Sequence, residues 1–301
     1  MTSSRDATAA VPALAPLSDI ALQRRSGVPH ALQALRAIVA REVMKFLQQK
    51  GRLVSALVRP VLWLAVFAAG FRNVFGVAIA PPYETYIPYD VYIAPGLIGM
   101  VLLFNGMQSS LAMVYDREMG LMRLLLTAPL PRAWLLFAKL VATALLSLLQ
   151  VLAFVLVAAA LGTVLPYEQP LALLHGVAAT LAAALMLAAL GLLLSVYVKQ
   201  LENFAGTMNF VIFPMYFLST ALYPLWKLQE SGAEWVYQIA RFNPFTHAVE
   251  WIRFAWYGKD PGLAPWVVLG CLLVFFGFAC WGYDPQRGFG GLAKRGPGGA
   301  P

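Results

Sequence analysis

Residues 134–162 read WLLFAKLVATALLSLLQVLAFVLVAAALG, and Lys139 is the one ionisable side chain among them. The hydrocarbon core of a bilayer is about 30 Å thick and takes about 20 apolar residues as a helix, so this stretch can cross it with length to spare. The surplus predicts tilt or extension past the inner surface. Runs of the same character lie on both sides of it. They cover 53–75 and 91–113 toward the N-terminus, then 171–198, 203–225 and 264–283 toward the C-terminus. Spanning segments must satisfy their backbone groups internally, so each is read as a helix. The expected fold class is an all-α polytopic membrane protein with six transmembrane helices.

Composition supports this reading. The chain has 301 residues, 60% hydrophobic and 12% charged, against about 25% charged in soluble domains. Its net charge of +8 lies beside the apolar runs rather than in a soluble domain, so the implied partner is membrane lipid and not nucleic acid. With the N-terminus inside, 17 of the 22 Lys and Arg fall on the inner side. Only Arg72, Lys227, Arg241, Arg253 and Lys259 fall outside, which favours both termini in the cytoplasm. Residues 1–28 and 284–301 read as disordered cytoplasmic tails, with 29–283 forming the transmembrane domain. Residues 1–30 hold Pro12, Pro16 and Pro29 and no continuous apolar core, so no cleavable signal peptide is expected. Cys271 and Cys280 sit in an apolar run and read as small core residues, not a metal site or a disulfide framework.

Two segments outside the spans carry pattern. In 31–50, Leu32, Leu35, Val39, Val43, Phe46 and Leu47 share one helical face, while Arg36, Arg41 and Lys45 lie mainly opposite. That is an amphipathic helix suited to a membrane surface. Between spans five and six, Asn243-Pro244 reads as an N-cap and first-turn proline of a helix over about 244–257, closed by Gly258. Its aromatics, Phe245, Trp251, Phe254, Trp256 and Tyr257, predict short helices dipping into the outer leaflet.

Several chemistries are missing. There is no G-x-x-x-x-G-K-[ST] phosphate loop, no H-E-x-x-H and no G-x-S-x-G in the sequence, so ATP hydrolysis, zinc proteolysis and serine hydrolysis find no motif here. His30, His175 and His247 fall in separate regions. The spans are nearly free of the paired ionisable groups that ion-coupled transport uses. Arg59 and Lys139 lie near inner ends and are expected to snorkel. Gln108, Gln150 and Asn209 are polar, read as helix-packing contacts, with Gln108 and Asn209 also candidates to line a substrate path.

The inner connection 114–133, VYDREMGLMRLLLTAPLPRA, is the most informative. Asp116, Arg117 and Glu118 give a polar start. Gly120 permits a bend, the leucines make an apolar turn, and Pro129 and Pro131 stop it. A short helix lying across the inner surface would show an apolar ridge that needs a partner to cover it. A surface turn with its leucines in lipid is the alternative.

These residues resemble the coupling segment of ABC type-2 transporter permeases: Asp116-Arg117-Glu118-Met119-Gly120, then Arg123-Leu124-Leu125-Leu126-Thr127-Ala128-Pro129. Phe213-Pro214 through Tyr223-Pro224 is similar to the fifth span of that family, and Asn243-Pro244-Phe245-Thr246-His247-Ala248-Val249 to its segment before the last span. The run Gln200-Leu201-Glu202-Asn203-Phe204-Ala205-Gly206 into Met208-Asn209-Phe210 resembles a branch associated with bacterial alcohol oxidation, related to nodulation-factor and drug exporters. The resemblance implies a permease subunit in the bacterial inner membrane that exports a hydrophobic or amphipathic substrate. It further implies a second permease copy, expected to be identical, and a cytoplasmic ABC ATPase subunit that binds ATP and Mg, with no cofactor on this chain. Asp116, Arg117, Glu118, Gly120, Arg123 and Pro129 would be the ATPase-coupling residues, and Arg36, Arg41 and Lys45 would belong to the interfacial helix. Two rivals stay open: a polytopic membrane enzyme built on the His247, Glu250, Arg253 stripe, and a non-transporting assembly factor.

Overall fold

The computed structural model describes residues 28–48, 50–71, 76–80, 84–119, 131–163, 170–198 and 200–283. The helices are α1 (Val28–Gln48), α2 (Lys50–Phe71), α3 (Tyr89–Glu118), α4 (Arg132–Ala160), α5 (Pro170–Tyr197), α6 (Leu201–Phe217), α7 (Leu225–Glu230), α8 (Glu234–Phe242), α9 (Pro244–Trp256) and α10 (Ala264–Gly282). Between α2 and α3 lie β1 (Gly76–Ala80) and β2 (Glu84–Pro88), antiparallel, with Gly76 opposite Pro88 and Ala80 opposite Glu84. That strand pair is a local addition that the sequence reading lacks; helices make up nearly all of the described chain, in keeping with the all-α fold class. The two tails expected to be disordered lie outside the described residues, apart from Val28 at the start of α1.

Among the described residues four helices are long and apolar enough to cross a membrane: α3, α4, α5 and α10. The other two expected spans differ. α2 carries Pro60 inside it, and its apolar stretch is Leu57–Phe67. α6 stops at Phe217, where a span to 225 was expected.

α3 is the centre of the bundle: 72% of its apolar window is buried, against 17% for α10. Small residues let α3 and α5 approach backbone to backbone. A Cβ at Gly191 would lie 2.5 Å from Ser110 Oγ and 2.8 Å from the Gly106 carbonyl oxygen. Close backbone approach through small residues is how membrane helices gain packing without a hydrophobic drive.

The break after α6 falls beside α3 and α9, and its freed carbonyls find side-chain donors. Asn243 Nδ2 donates to the Met215 and Leu218 carbonyls, each at 2.8 Å. Tyr89 Oη donates to Leu222 O at 2.7 Å and Tyr92 Oη to Thr220 O at 3.2 Å. Arg253 Nη2 reaches the same Thr220 oxygen at 2.8 Å. An unwound backbone within a membrane protein persists only where such partners exist. The Asn243 Oδ1 also accepts from Phe245 N at 2.9 Å, with Pro244 in the first turn, so the expected cap is formed. Gly258 follows the helix at φ +61°.

Candidate functional site

The last turn of α3 carries Asp116, Arg117 and Glu118. The sequence reading made them the start of a surface turn; instead α3 runs on through them, and each is committed to a different neighbour. Arg117 lies across the end of α5, donating from Nη1 to the Ser195 carbonyl at 3.0 Å and from Nη2 to the Val198 carbonyl at 2.7 Å. The last carbonyls of a helix lack intrahelical donors and sit at the negative end of its dipole, so a guanidinium suits that place. Glu118 does the converse at α6, where its Oε1 accepts from Leu201 N at 2.9 Å. One end of α3 is thereby fastened to both sides of the α5–α6 turn.

Asp116 faces α4, with Oδ2 3.6 Å from Lys139 Nζ, and both side chains are largely shielded. Lys139 was expected to snorkel; its ammonium is instead held by this carboxylate. Glu42 of α1 lines the same small cavity, of about 20 Å³, with Ser109 and Thr143. A space of that size holds about one water. Three elements therefore bring charge to one point: α1, α3 and α4.

Above the ion pair a buried polar seam runs between α3 and α4. Ser109 Oγ and Thr143 Oγ1 are 2.6 Å apart. Asn105 Nδ2 donates to Ser147 Oγ at 2.7 Å, and Gln150 Nε2 donates to Asn105 Oδ1 at 3.3 Å. Gln150 is thus helix-packing glue. Asn105 escaped the sequence reading; its signal was the four-residue spacing Asn105/Ser109 opposite Thr143/Ser147.

Gly120, Arg123 and Pro129 lie outside the described residues. Arg36, Arg41 and Lys45 are exposed along α1, and Arg41 pairs with Glu42 at 2.8 Å. α1 is held to the bundle by buried Phe46 and by Trp134 Nε1 donating to the Ala31 carbonyl at 3.1 Å. Gln108 is half-buried and Asn209 exposed; neither belongs to the α3-end cluster. Arg59 stays exposed on α2, with its guanidinium over the Phe104 ring, 3.8 Å from its centroid.

At the opposite end of the bundle, the aromatic helix α9 is more buried than expected. Phe245 and Trp256 are buried because α3 and α5 present Gly99 and Gly176 to their rings, where a Cβ would stand 2.9 Å from either. α8, by contrast, leaves Trp235, Ile239 and Phe242 exposed at i, i+4 and i+7, one apolar stripe on an amphipathic helix. The His247, Glu250, Arg253 stripe is spent on structure. The His247 ring Nε2 is 3.0 Å from the Arg241 carbonyl, and burial holds its pKa below the usual histidine value against that hydrogen bond. Burial raises the Glu250 carboxyl, and the Arg253 charge opposes the rise. Arg253 itself is committed to Thr220 O and the face of Tyr92, 4.0 Å from the ring centroid. Among the described residues no group of three or more His, Cys, Asp or Glu could hold a metal.

Comparison with known proteins agrees with the membrane architecture. The family model described as ABC-2 type transporter matches residues 33–257. A Porphyra purpurea protein named "Putative transport permease ycf38" is 27% identical over 230 residues, covering 76% of each chain. Proteins of the same name from Pyropia yezoensis and Cyanophora paradoxa are 26% and 29% identical, each over 74% of both chains.

Proposed function

The chain belongs to the ABC-2 type transporter family, and from that premise we propose that this transport permease exports a hydrophobic or amphipathic cargo on energy supplied by a separate ABC ATPase. Two copies would face each other across the cargo path, with two ATPase subunits binding ATP and Mg beneath them. The membrane would be a bacterial inner membrane, with both termini on the ATPase side, as the Lys/Arg distribution favours.

The observation that carries the proposal is the fastening of one α3 end to the α5–α6 turn by Arg117 and Glu118. The coupling segment, residues 116–129, would seat in the ATPase, and it begins in the last turn of α3. A push there reaches the end of α5 through Arg117 and the start of α6 through Glu118. α6 is the element whose exposed face carries Asn209, Phe210 and Phe213, a surface suited to a cargo path. A ligand can shift such a two-state element only through its differential affinity for the two states, and ATP-driven closure of the partner would supply that. The Asp116–Lys139 pair with Glu42 would join the interfacial helix to the same lever. The test is reconstitution of the permease with its ATPase in vesicles. ATP-dependent movement of an amphipathic dye supports the proposal; dye movement indifferent to ATP, or ATP hydrolysis indifferent to the permease, refutes it.

A further inference from the structure

Arg59 makes no hydrogen bond or ion pair with a described residue, and no described carboxylate acts on its charge. Its contact is the ring of Phe104, which lies near the middle of the 30-residue α3, about 21 Å from either end at 1.5 Å per residue. The side chain is nevertheless exposed, on a face of α2 that also shows Val58, Leu62 and Val66. Were lipid to lie against that face near the bilayer centre, the arginine would cost about 2.5–3.5 kcal/mol on the mildest scale. A cation–π contact returns about 0.5–1 kcal/mol where exposed and about 2 where desolvated, and it provides no lone-pair acceptor for the five guanidinium donors. An intramembrane cation in that position belongs to a cavity or an interface, and it calls for an anion.

We propose that Arg59 anchors the anionic head of an amphipathic cargo, with Phe104 beneath the guanidinium and the apolar face of α2 along the cargo's tail. The inference rests on the transport reading and names its cargo class: an apolar body ending in a carboxylate, sulfate or phosphate. The planar fork of arginine matches two oxygens of such a group. Gln108, one helical turn from Phe104 on the same face of α3 and half-buried, is placed to add a neutral contact.

The test uses the full chain in phosphatidylcholine nanodiscs, without nucleotide, titrated with 11-(dansylamino)undecanoic acid and with its methyl ester. The wild type should bind the acid ~10-fold more tightly than the ester, as a charge-assisted contact requires. Arg59→Gln should abolish that preference while leaving ester affinity unchanged, which also shows that the variant is folded. Arg59→Lys should keep part of it, since charge remains and the fork is lost. Equal binding of acid and ester to the wild type overturns the proposal, as does an undiminished preference in Arg59→Gln. Loss of the preference when phosphatidylglycerol replaces part of the lipid overturns it in favour of a lipid phosphate. A change of oligomeric state in Arg59→Gln with the preference intact overturns it in favour of a carboxylate on the second copy. A wild type without the preference but with ATP-driven dye movement sinks this site alone. A preserved preference without ATP-driven movement sinks the transport reading and leaves the site.

Discussion

Replacing Arg117 by Met removes both bonds from α3 to the end of α5, at 3.0 and 2.7 Å, while keeping an unbranched apolar stem. Charge-assisted hydrogen bonds in water-soluble proteins contribute about 1.5–3 kcal/mol each. Side-chain hydrogen bonds within membrane proteins average nearer 0.6, with a maximum of about 1.7. Arg117 is half-buried, so the lower figures apply, and two bonds give about 1–3 kcal/mol. If the tie transmits the movement of α3, that energy is the most the variant can take from coupling: roughly 5- to 150-fold in transport per ATP, at 1.4 kcal/mol per tenfold. Arg117→Lys should fall between, because an ammonium lacks the fork that spans carbonyls three residues apart. Glu118→Gln keeps an acceptor for Leu201 N and should cost least. The assay is dye transport and ATP hydrolysis measured together in vesicles, with thermal stability as the folding control. Hydrolysis near the wild-type rate with reduced transport supports the reasoning. Wild-type transport per ATP in Arg117→Met, with the protein folded, refutes it.

Other perturbations test the surrounding account. Gly96→Ala puts a Cβ 2.4 Å from the Ala221 carbonyl oxygen, a backbone atom held by the α6 break, and should destabilise the purified protein by about 1–3 kcal/mol. Gly206→Ala, with nothing within 4 Å, should stabilise α6 by about 0.5–1 kcal/mol; the two melting temperatures must move in opposite directions. Arg253→Met strips Thr220 O of its 2.8 Å donor and Tyr92 of its cation, and should cost about 2–4 kcal/mol in detergent-solubilised stability; a loss within 0.5 kcal/mol would show that the break needs no such tie. Partial burial holds the His247 pKa below its usual value. The unfolded chain therefore takes up its proton first as pH falls, so stability contributed near neutrality declines below about pH 6.5. His247→Gln should flatten that decline in melting temperature between pH 7 and pH 5, and an unchanged slope would assign it to other groups.

What could be read from sequence follows the reach of the interactions. α4, α5 and α10 declare themselves through uninterrupted apolar runs, and the start of α9 through Asn243-Pro244, whose cap closes within two residues. The break after Phe217 leaves no local mark, because Thr220-Ala221-Leu222-Tyr223 is as apolar as a span. It is stabilised by Tyr89 and Arg253, 133 and 33 residues away from their acceptors. Arg253 was counted among outer charges by position, yet it is 3% exposed, because its acceptor sits on that distant break. The strand pair before α3 was missed because Val77, Ile79, Tyr86 and Ile87 are too few for a pattern of period two to stand out. At the candidate site, the residue types of Asp116, Arg117 and Glu118 were legible. Their partners were not, since carbonyls of Ser195 and Val198 carry no side-chain signature.

As proposed, the permease works only as part of an assembly whose fuel-burning subunits grip the α3 end. Native mass spectrometry of the complex purified in mild detergent tests it most directly. The expected particle holds two copies of the 301-residue chain with two nucleotide-binding subunits. A transport-competent particle containing this chain and no ATP-binding partner would contradict it.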